Sequence, residues 1–119
     1  MAIKKIPDGL SFQTKLECID LNGNVIPTSK LKNFTIEYFI NRAEDSVIFI
    51  AQKETSELNV VTYTNCFIQG NYIIVTINSA FEQKGILKNI MTFEIIDDIL
   101  PEGSYIFTCP EQKTNVEII

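Results

Sequence analysis

Several side chains in this sequence could take part in catalysis, but no histidine accompanies them. Histidine is the commonest general base in enzymes and the commonest metal ligand. None of the six serines lies in a G-x-S-x-G motif, and without histidine neither a serine nor a cysteine has its usual activating base. We therefore predict that the protein is not an enzyme, that it has no catalytic residues and that it needs no cofactor.

Two acidic segments carry carboxylates of the kind that bind cations. Residues 20–24 read D-x-N-x-N, as a calcium-binding loop begins, but the sixth and twelfth positions are Val25 and Leu31 instead of Gly and Glu. The segment therefore predicts a plain β-turn. Asp97 and Asp98 are adjacent, so in an extended strand they point to opposite faces and do not converge.

The three cysteines, Cys18, Cys66 and Cys109, are far apart and form no C-x-x-C pair. A zinc site needs four clustered ligands, which this chain does not offer in sequence. We interpret the cysteines as small buried hydrophobic residues in a reducing compartment.

Charge and hydropathy exclude further classes of function. The net charge is −5 and the isoelectric point is about 4.6, whereas nucleic-acid-binding domains carry clustered Lys and Arg. We expect no direct binding to DNA or RNA. The N-terminal sequence lacks the apolar run of a signal peptide, and no apolar run approaches the length of a membrane span. We expect a protein made in a cytoplasm that does not enter a membrane.

Alternating hydrophobicity then predicts the elements that hold these groups. Residues 11–21, 33–40, 46–52, 58–67, 72–77, 104–109 and 114–119 all read as strands, with a bend near Asn65 and a stop at Pro110. Residues 86–92 fit either a strand or a helix, and the β-branched residues that follow favour the strand. Turns are predicted at residues 69–71 and 100–103, and residues 78–85 read as a loop with one helical turn.

About eight short strands at roughly ten-residue spacing are typical of an all-β fold, and we predict an immunoglobulin-like antiparallel β-sandwich. A jelly roll or a small barrel is the alternative. We assign residues 1–10 to an N-terminal arm and residues 11–119 to a single β-sandwich domain.

Several segments together resemble a known group of proteins. They are the hairpin at residues 65–75, the strand start at residues 85–87, the turn at residues 100–103 and the first hairpin at residues 16–26. Their order is similar to that of small β-sandwich modules encoded by phages and prophages of gut Bacteroidetes, including crAss-like phages. The resemblance implies a structural virion protein in a head fibre, tail or baseplate, with other virion proteins as partners and the virion as its location.

The pattern also places apolar side chains on faces that a single sandwich would leave exposed to solvent. Monomers rarely expose large apolar patches, so this supports an assembly function. We predict a homo-oligomer, or a protomer fixed in a larger assembly. The terminal segments, residues 1–9 and 114–119, are expected to pair with other chains as added strands. The candidate assembly surface consists of Phe39, Ile48, Ile50, Ile73, Ile96, Val116 and Ile118.

A carbohydrate-binding or adhesion module is the alternative function. It would use exposed aromatic rings to stack on a surface glycan. The candidates for such a platform are Tyr38, Tyr63, Tyr72 and Tyr105, which fit equally well as ordinary strand residues.

Overall fold

The computed structural model describes residues 3–40, 48–78, 81 and 83–119, and in these ranges the protein is all-β. One 3₁₀ turn, Thr28–Lys30, precedes the third strand. The nine strands are β1 (Lys4–Ile6), β2 (Phe12–Leu16), β3 (Leu31–Phe39), β4 (Phe49–Thr55), β5 (Val61–Thr64), β6 (Cys66–Gln69), β7 (Tyr72–Ile77), β8 (Gly85–Ile96) and β9 (Ser104–Ile118).

The strands form two sheets, which confirms the predicted β-sandwich. Sheet A has six strands in the order β1-β9-β8-β3-β4-β5, and sheet B has three in the order β2-β7-β6. All neighbouring strands are antiparallel except β1 and β9, which run parallel. Sheet A is much the larger, so sheet B covers only part of its inner face.

The core lies between the two sheets and follows the period of two along each strand. In β8, alternate residues from Leu87 to Ile95 are buried and the intervening ones are partly exposed. β8 pairs with β3 on one side and β9 on the other, which confirms the predicted strand over the helix. Phe34 and Phe93 are paired in register near the centre, and their ring centroids are 6.2 Å apart.

The predicted bend at Asn65 is the point where the chain passes from sheet A to sheet B. Asn65 has a φ of 57°, which interrupts the extended run between β5 and β6. Its side-chain amide donates to the Ile50 carbonyl in sheet A, and its own carbonyl accepts from the Thr76 N–H in sheet B. One residue is therefore hydrogen-bonded to both sheets.

The two predicted turns are confirmed. Gln69 pairs with Tyr72, which leaves a two-residue loop whose first residue, Gly70, has a φ of 61°. A positive φ at that position is what a type II′ hairpin turn requires. The turn at residues 100–103 closes β8 and β9, with the Asp97 N–H donating to the Gly103 carbonyl.

The prediction that a strand stops at Pro110 is wrong, since β9 runs on through it. Asn89 pairs with Gln112 and Met91 with Cys109, so Pro110 and Glu111 both lie opposite Ile90. A β-bulge tolerates a residue that cannot donate a ladder hydrogen bond. Residues 111–113, which separate the strands predicted at residues 104–109 and 114–119, therefore belong to one continuous strand.

Within the predicted N-terminal arm, residues 1–10, Lys4–Ile6 form the edge strand β1 of sheet A. β1 pairs with Val116–Ile118, the other segment predicted to add to foreign chains. The Ile119 N–H donates to the Ile6 carbonyl, and the Asp8 N–H donates to the Ile119 carbonyl. The two predicted arms thus pair with each other within one chain.

Three sequence predictions fall wholly or partly outside the described residues. They are residues 41–45, a polar segment between two predicted strands that the sequence indicates as a loop, the start of the predicted strand at Ser46 and Val47, and the loop at residues 78–85, of which residues 79, 80 and 82 are not described.

The carboxylate of Glu94 on β8 is hydrogen-bonded to both neighbouring strands, β3 and β9, and mutation of Glu94 tests this part of the fold. Glu94 accepts from the Asn33 amide at 2.7 Å and from the Ser104 hydroxyl at 2.6 Å, and Lys32 Nζ lies 3.8 Å away. The Ser104 and Asn33 hydrogen bonds lower the pKa of Glu94 below its usual 4.5. Glu94→Gln replaces one acceptor with a donor, and we expect the free energy of unfolding in urea to fall by about 1–2 kcal/mol at pH 7.

A lowered carboxylate pKa stabilises the fold above the unfolded-state pKa, and this contribution is lost as the pH falls through the folded-state value. The difference in the free energy of unfolding between wild type and Glu94→Gln should therefore become smaller in strong acid. Glu54→Gln, at an exposed position on β4, is the matched control and should change stability by less than about 0.5 kcal/mol. Equal losses in the two variants would contradict the assignment.

Candidate assembly surface

Four of the seven residues predicted to form an assembly surface are buried within the chain itself. Phe39, Ile73, Val116 and Ile118 are each at most 2% exposed. Ile73 faces sheet A from the central strand of sheet B, and Val116 and Ile118 lie where β9 is flanked by both β1 and β8. The expectation that these four lie on wet faces is therefore wrong, and they belong to the core.

The other three predicted residues do not form one patch. Ile48 and Ile50 are 47% and 40% exposed, and Ile96 is half-buried. Ile50, Glu37 and Ile90 are register partners and form one row across β4, β3 and β8. Ile96 lies six residues further along β8 than Ile90. At about 3.3 Å per residue the rows are roughly 20 Å apart.

The sequence reasoning did not single out the open edge of β5 as an assembly surface. All four side chains of Val61–Thr64 are exposed, and among the residues that the structure describes only β4 pairs with this strand. The Ser56 N–H donates to the Val60 carbonyl, so alternation along the ladder directs the backbone groups of Val61 and Tyr63 away from β4. These two residues present two N–H and two C=O groups along the open edge.

A second open edge is the first half of β9. β1 covers only Val116–Ile118, so residues 104–109 have no neighbouring strand on that side among the described residues. Because the Asp97 N–H donates to the Gly103 carbonyl, the same alternation directs the backbone groups of Ser104, Ile106 and Thr108 outward. The side chain of Ile106 is 64% exposed.

The two open edges lie at the same level of sheet A. One row of register partners runs from Phe107 through Phe93, Phe34 and Lys53 to Tyr63. Each step along this row is antiparallel and there are four steps, so β5 and β9 point in the same direction. Sheet A therefore ends, at this level, in two parallel and unpaired strands on opposite sides.

Neither open edge carries a charged residue or a proline, although β5 is only four residues long and the bulge at Pro110 directly follows residues 104–109. Proteins protect edges with lysine, proline, bulges or very short strands. The chain has no charged residue from Leu58 to Phe81, a run that includes β5, and none at residues 104–109. By contrast, β1 carries Lys4 and Lys5, and β2 carries Lys15. The uncharged run was visible in the sequence, but its place at an edge was not.

The four tyrosines do not share a platform. Tyr38 is buried, with its hydroxyl 3.2 Å from Thr14 Oγ1, and the ring of Tyr72 is covered by Lys15 Nζ at 4.2 Å from its centroid. Tyr63 and Tyr105 are exposed, but they lie on β5 and β9 at opposite edges of sheet A.

A small polar cleft lies beside the bulges of β9. It has a volume of about 230 Å³, and its lining includes Thr14, Tyr38 and Asn89. Asn89 is buried between two register shifts of β8 and β9, and its Oδ1 accepts no hydrogen bond from the described chain. The cleft is smaller than the 300–1,000 Å³ of a typical ligand site. Its lining offers hydroxyl, amide and lysine groups but no carboxylate and no cysteine.

The two acidic segments serve as turn caps. The Asp20 carboxylate accepts from the N–H groups of Asn22 and Asn24, each at 2.9 Å, as expected for the predicted β-turn. Asp97 accepts in the same way from the Ile99 N–H. Within the described ranges no three metal-ligating side chains cluster, and no helix there has the length and hydrophobicity to span a membrane.

Burial makes the thiols poor nucleophiles. It raises the pKa of Cys18 from its usual 9.0 to about 11, and it also raises the pKa values of Cys66 and Cys109. Since the thiolate is the reactive form, such cysteines are inert near neutral pH. Cys18 is buried, as its sequence position predicted, whereas Cys66 and Cys109 are half-buried.

The same burial predicts a loss of stability in alkali. Burial also raises the pKa of Tyr38 from its usual 10.0 to about 12. Between the usual and the raised values, the unfolded chain loses protons that the folded chain retains, so the free energy of unfolding falls as the pH rises. We expect the urea midpoint to decline between about pH 9 and pH 12.

Cys18→Ala should flatten the lower part of this decline and Tyr38→Phe the upper part, when each variant is compared with its own value at pH 8. A wild-type midpoint that stays constant up to pH 12 would contradict the assignment of these two groups.

Comparison with known proteins gives no match: no family model, no curated protein and no solved structure corresponds to this chain.

Proposed function

We propose that the protein is a non-enzymatic structural component of a tailed-phage virion, located in a head fibre, tail or baseplate, and that it acts by protein–protein assembly. The observation that carries this proposal is the pair of open, uncharged strand edges of sheet A, β5 and residues 104–109 of β9. An edge of this kind is a template for pairing with another chain.

Strand addition is the mode of contact that these edges suit. In β-augmentation, backbone hydrogen bonds supply affinity and alternate side chains supply specificity. The outward N–H and C=O groups of Val61 and Tyr63 provide the backbone hydrogen bonds, and the exposed side chains of β5 provide the specificity. An assembly function also requires none of the catalytic groups that the sequence lacks.

The assignment to a phage particle rests on the resemblance of the hairpin and turn segments to virion modules. Mass spectrometry of phage particles purified from a host that carries the gene tests it directly. We expect the protein in the particle fraction at a constant ratio to the major capsid protein across preparations. Its absence from purified particles, with the protein recovered free in the lysate, would overturn the proposal.

Cross-linking within the particles then tests the mode of contact. We expect cross-links to partner proteins to start near the two open edges, for example at Lys53 beside β5 and at Lys32, whose Nζ lies 3.8 Å from the Glu94 carboxylate that binds Ser104 of β9. Lys4, Lys5 and Lys15 lie on the charged edges and serve as internal controls. Cross-links from those three alone would contradict the role of the open edges.

A further inference from the structure

We propose that a second copy of this chain is the partner of each open edge, with β5 of one copy adding in parallel to residues 104–109 of the next copy. Sheet A would then continue from molecule to molecule. The inference deepens the proposed assembly function and rests on it, because it names the partner and the register of the contact.

The backbone groups of the two edges are complementary in this arrangement. In a parallel pair, one residue bonds to the two residues that flank its opposite number. With Tyr63 opposite Phe107 of the next copy, the Tyr63 N–H donates to the Ile106 carbonyl and the Tyr63 carbonyl accepts from Thr108. Val61, two residues earlier, bonds in the same way to Ser104 and Ile106. All four outward groups of β5 are then satisfied.

The side chains match in the same register. Tyr63 and Phe107 occupy one row of sheet A on its inner face, so the pairing places ring beside ring. On the outer face, Thr62 and Thr64 lie beside Ile106 and Thr108 of the next copy. Aromatic and β-branched pairs are the favourable cross-strand combinations.

Charge favours these two edges for contact between identical chains. Each copy carries a net charge of −5, so two copies repel each other in general. β5 and residues 104–109 are free of charged residues, as is β6 at the edge of sheet B, whereas a pairing of β1 with β1 or of β2 with β2 would bring lysines of two copies together. The uncharged edges are thus where two copies approach with least repulsion.

The direction of the strands favours a head-to-tail repeat over a two-fold dimer. A two-fold pairing of β5 with β5 satisfies that edge but leaves the outward groups of Ser104, Ile106 and Thr108 unpaired. β5 and β9 run in the same direction, so when all copies share one orientation, β5 of each copy faces β9 of the next copy in parallel. β9 already accepts a parallel strand, since β1 pairs with it at Val116–Ile118. Such a heterologous contact produces a ring or a filament.

Two proline variants test the proposal by complementation. Val61→Pro and Ile106→Pro each remove one outward N–H and insert a ring at the edge, without removing a hydrogen bond of β4 or β8. Leu21→Pro is the matched control. Leu21 is 92% exposed and occupies the second position of the turn in which the Gly23 N–H donates to the Asp20 carbonyl, where proline is favoured.

Sedimentation velocity over a concentration series is the readout. We expect wild type and Leu21→Pro to form oligomers, and each edge variant alone to sediment as a monomer. An equimolar mixture of Val61→Pro and Ile106→Pro should form a heterodimer and no larger species, because only one intact β5 can meet one intact β9. Circular dichroism confirms that each variant is folded, and Val61→Lys with Ile106→Lys replace any proline variant that is not.

Three outcomes would overturn the head-to-tail pairing. They are a wild-type monomer at all concentrations, oligomers unaffected by either edge variant, and a dimer lost in Val61→Pro but kept in Ile106→Pro, which indicates a two-fold β5 contact. The particle experiment separates the two proposals. If the protein is found in virions but is a monomer in solution, the self-pairing is overturned and the virion function stands. If it forms head-to-tail oligomers but is absent from virions, the self-pairing stands and the virion function is overturned.

Discussion

Phe93→Ala is expected to lower the free energy of unfolding by about 3–5 kcal/mol. Phe93 is fully buried at the centre of β8, and its register partners are Phe34 on β3 and Phe107 on β9. The truncation removes apolar contact with sheet B and leaves a cavity that three paired strands hold open. Close packing of the interior prevents its collapse, so both the transfer cost and the cavity cost apply.

Urea denaturation followed by circular dichroism measures this loss. Phe67→Ala is the matched control, because the same side chain on β6 is 45% exposed and should lose less than about 1 kcal/mol. Phe93→Leu keeps most of the volume and should stay folded with a cost below about 1.5 kcal/mol. Similar losses at positions 93 and 67 would contradict the placement of the core.

Gly85→Ala is expected to destabilise the fold by at least about 1–3 kcal/mol, the range of backbone strain alone. Gly85 begins β8 with a φ of 144°, a conformation that L side chains rarely adopt. A Cβ at this position would also lie 2.8 Å from Cγ2 of Ile40, which is buried. Strain and steric overlap therefore act at the same residue.

Gly23→Ala separates these two causes. Gly23 has a φ of 83°, but a Cβ there would have no heavy atom within 4 Å, so only the backbone strain applies. We expect Gly85→Ala to lose more stability than Gly23→Ala when both are measured by urea denaturation. In an Ile40→Ala background the additional loss at Gly85 should shrink, and an unchanged loss would contradict the overlap.

Local signals in the sequence predicted most of the elements. Alternation located β3, the β-branched residues after residue 92 favoured a strand at β8, Gly70 marked the hairpin, and Asn65 marked the bend. Each of these signals depends on residues that are neighbours in the chain. Proline misled at position 110. Its missing N–H normally ends a strand, but a bulge opposite Ile90 accommodates it, and bulges depend on the partner strand.

The surfaces could not be predicted in the same way. Ile73, Ile74 and Val75 are consecutive apolar residues, which suggested one wet face, yet all three are buried. Burial on both faces of a strand depends on which distant segments cover it, and alternation does not carry that information. The open edges of β5 and β9 were missed for the same reason, since an edge is defined only by the strand order of the whole sheet.

The pairing of β3 with β8 has a kinetic consequence. Phe34 and Phe93 are paired although they are 59 positions apart in the chain. The entropy of closing so long a loop is lost before the contact stabilises the fold, and all-β domains dominated by such contacts fold in milliseconds to seconds. During synthesis, β3, β4 and β5 emerge well before β8. The nascent chain therefore exposes the unpaired edge of β3 until β8 has left the ribosome, and this interval is when the protein is most vulnerable to aggregation.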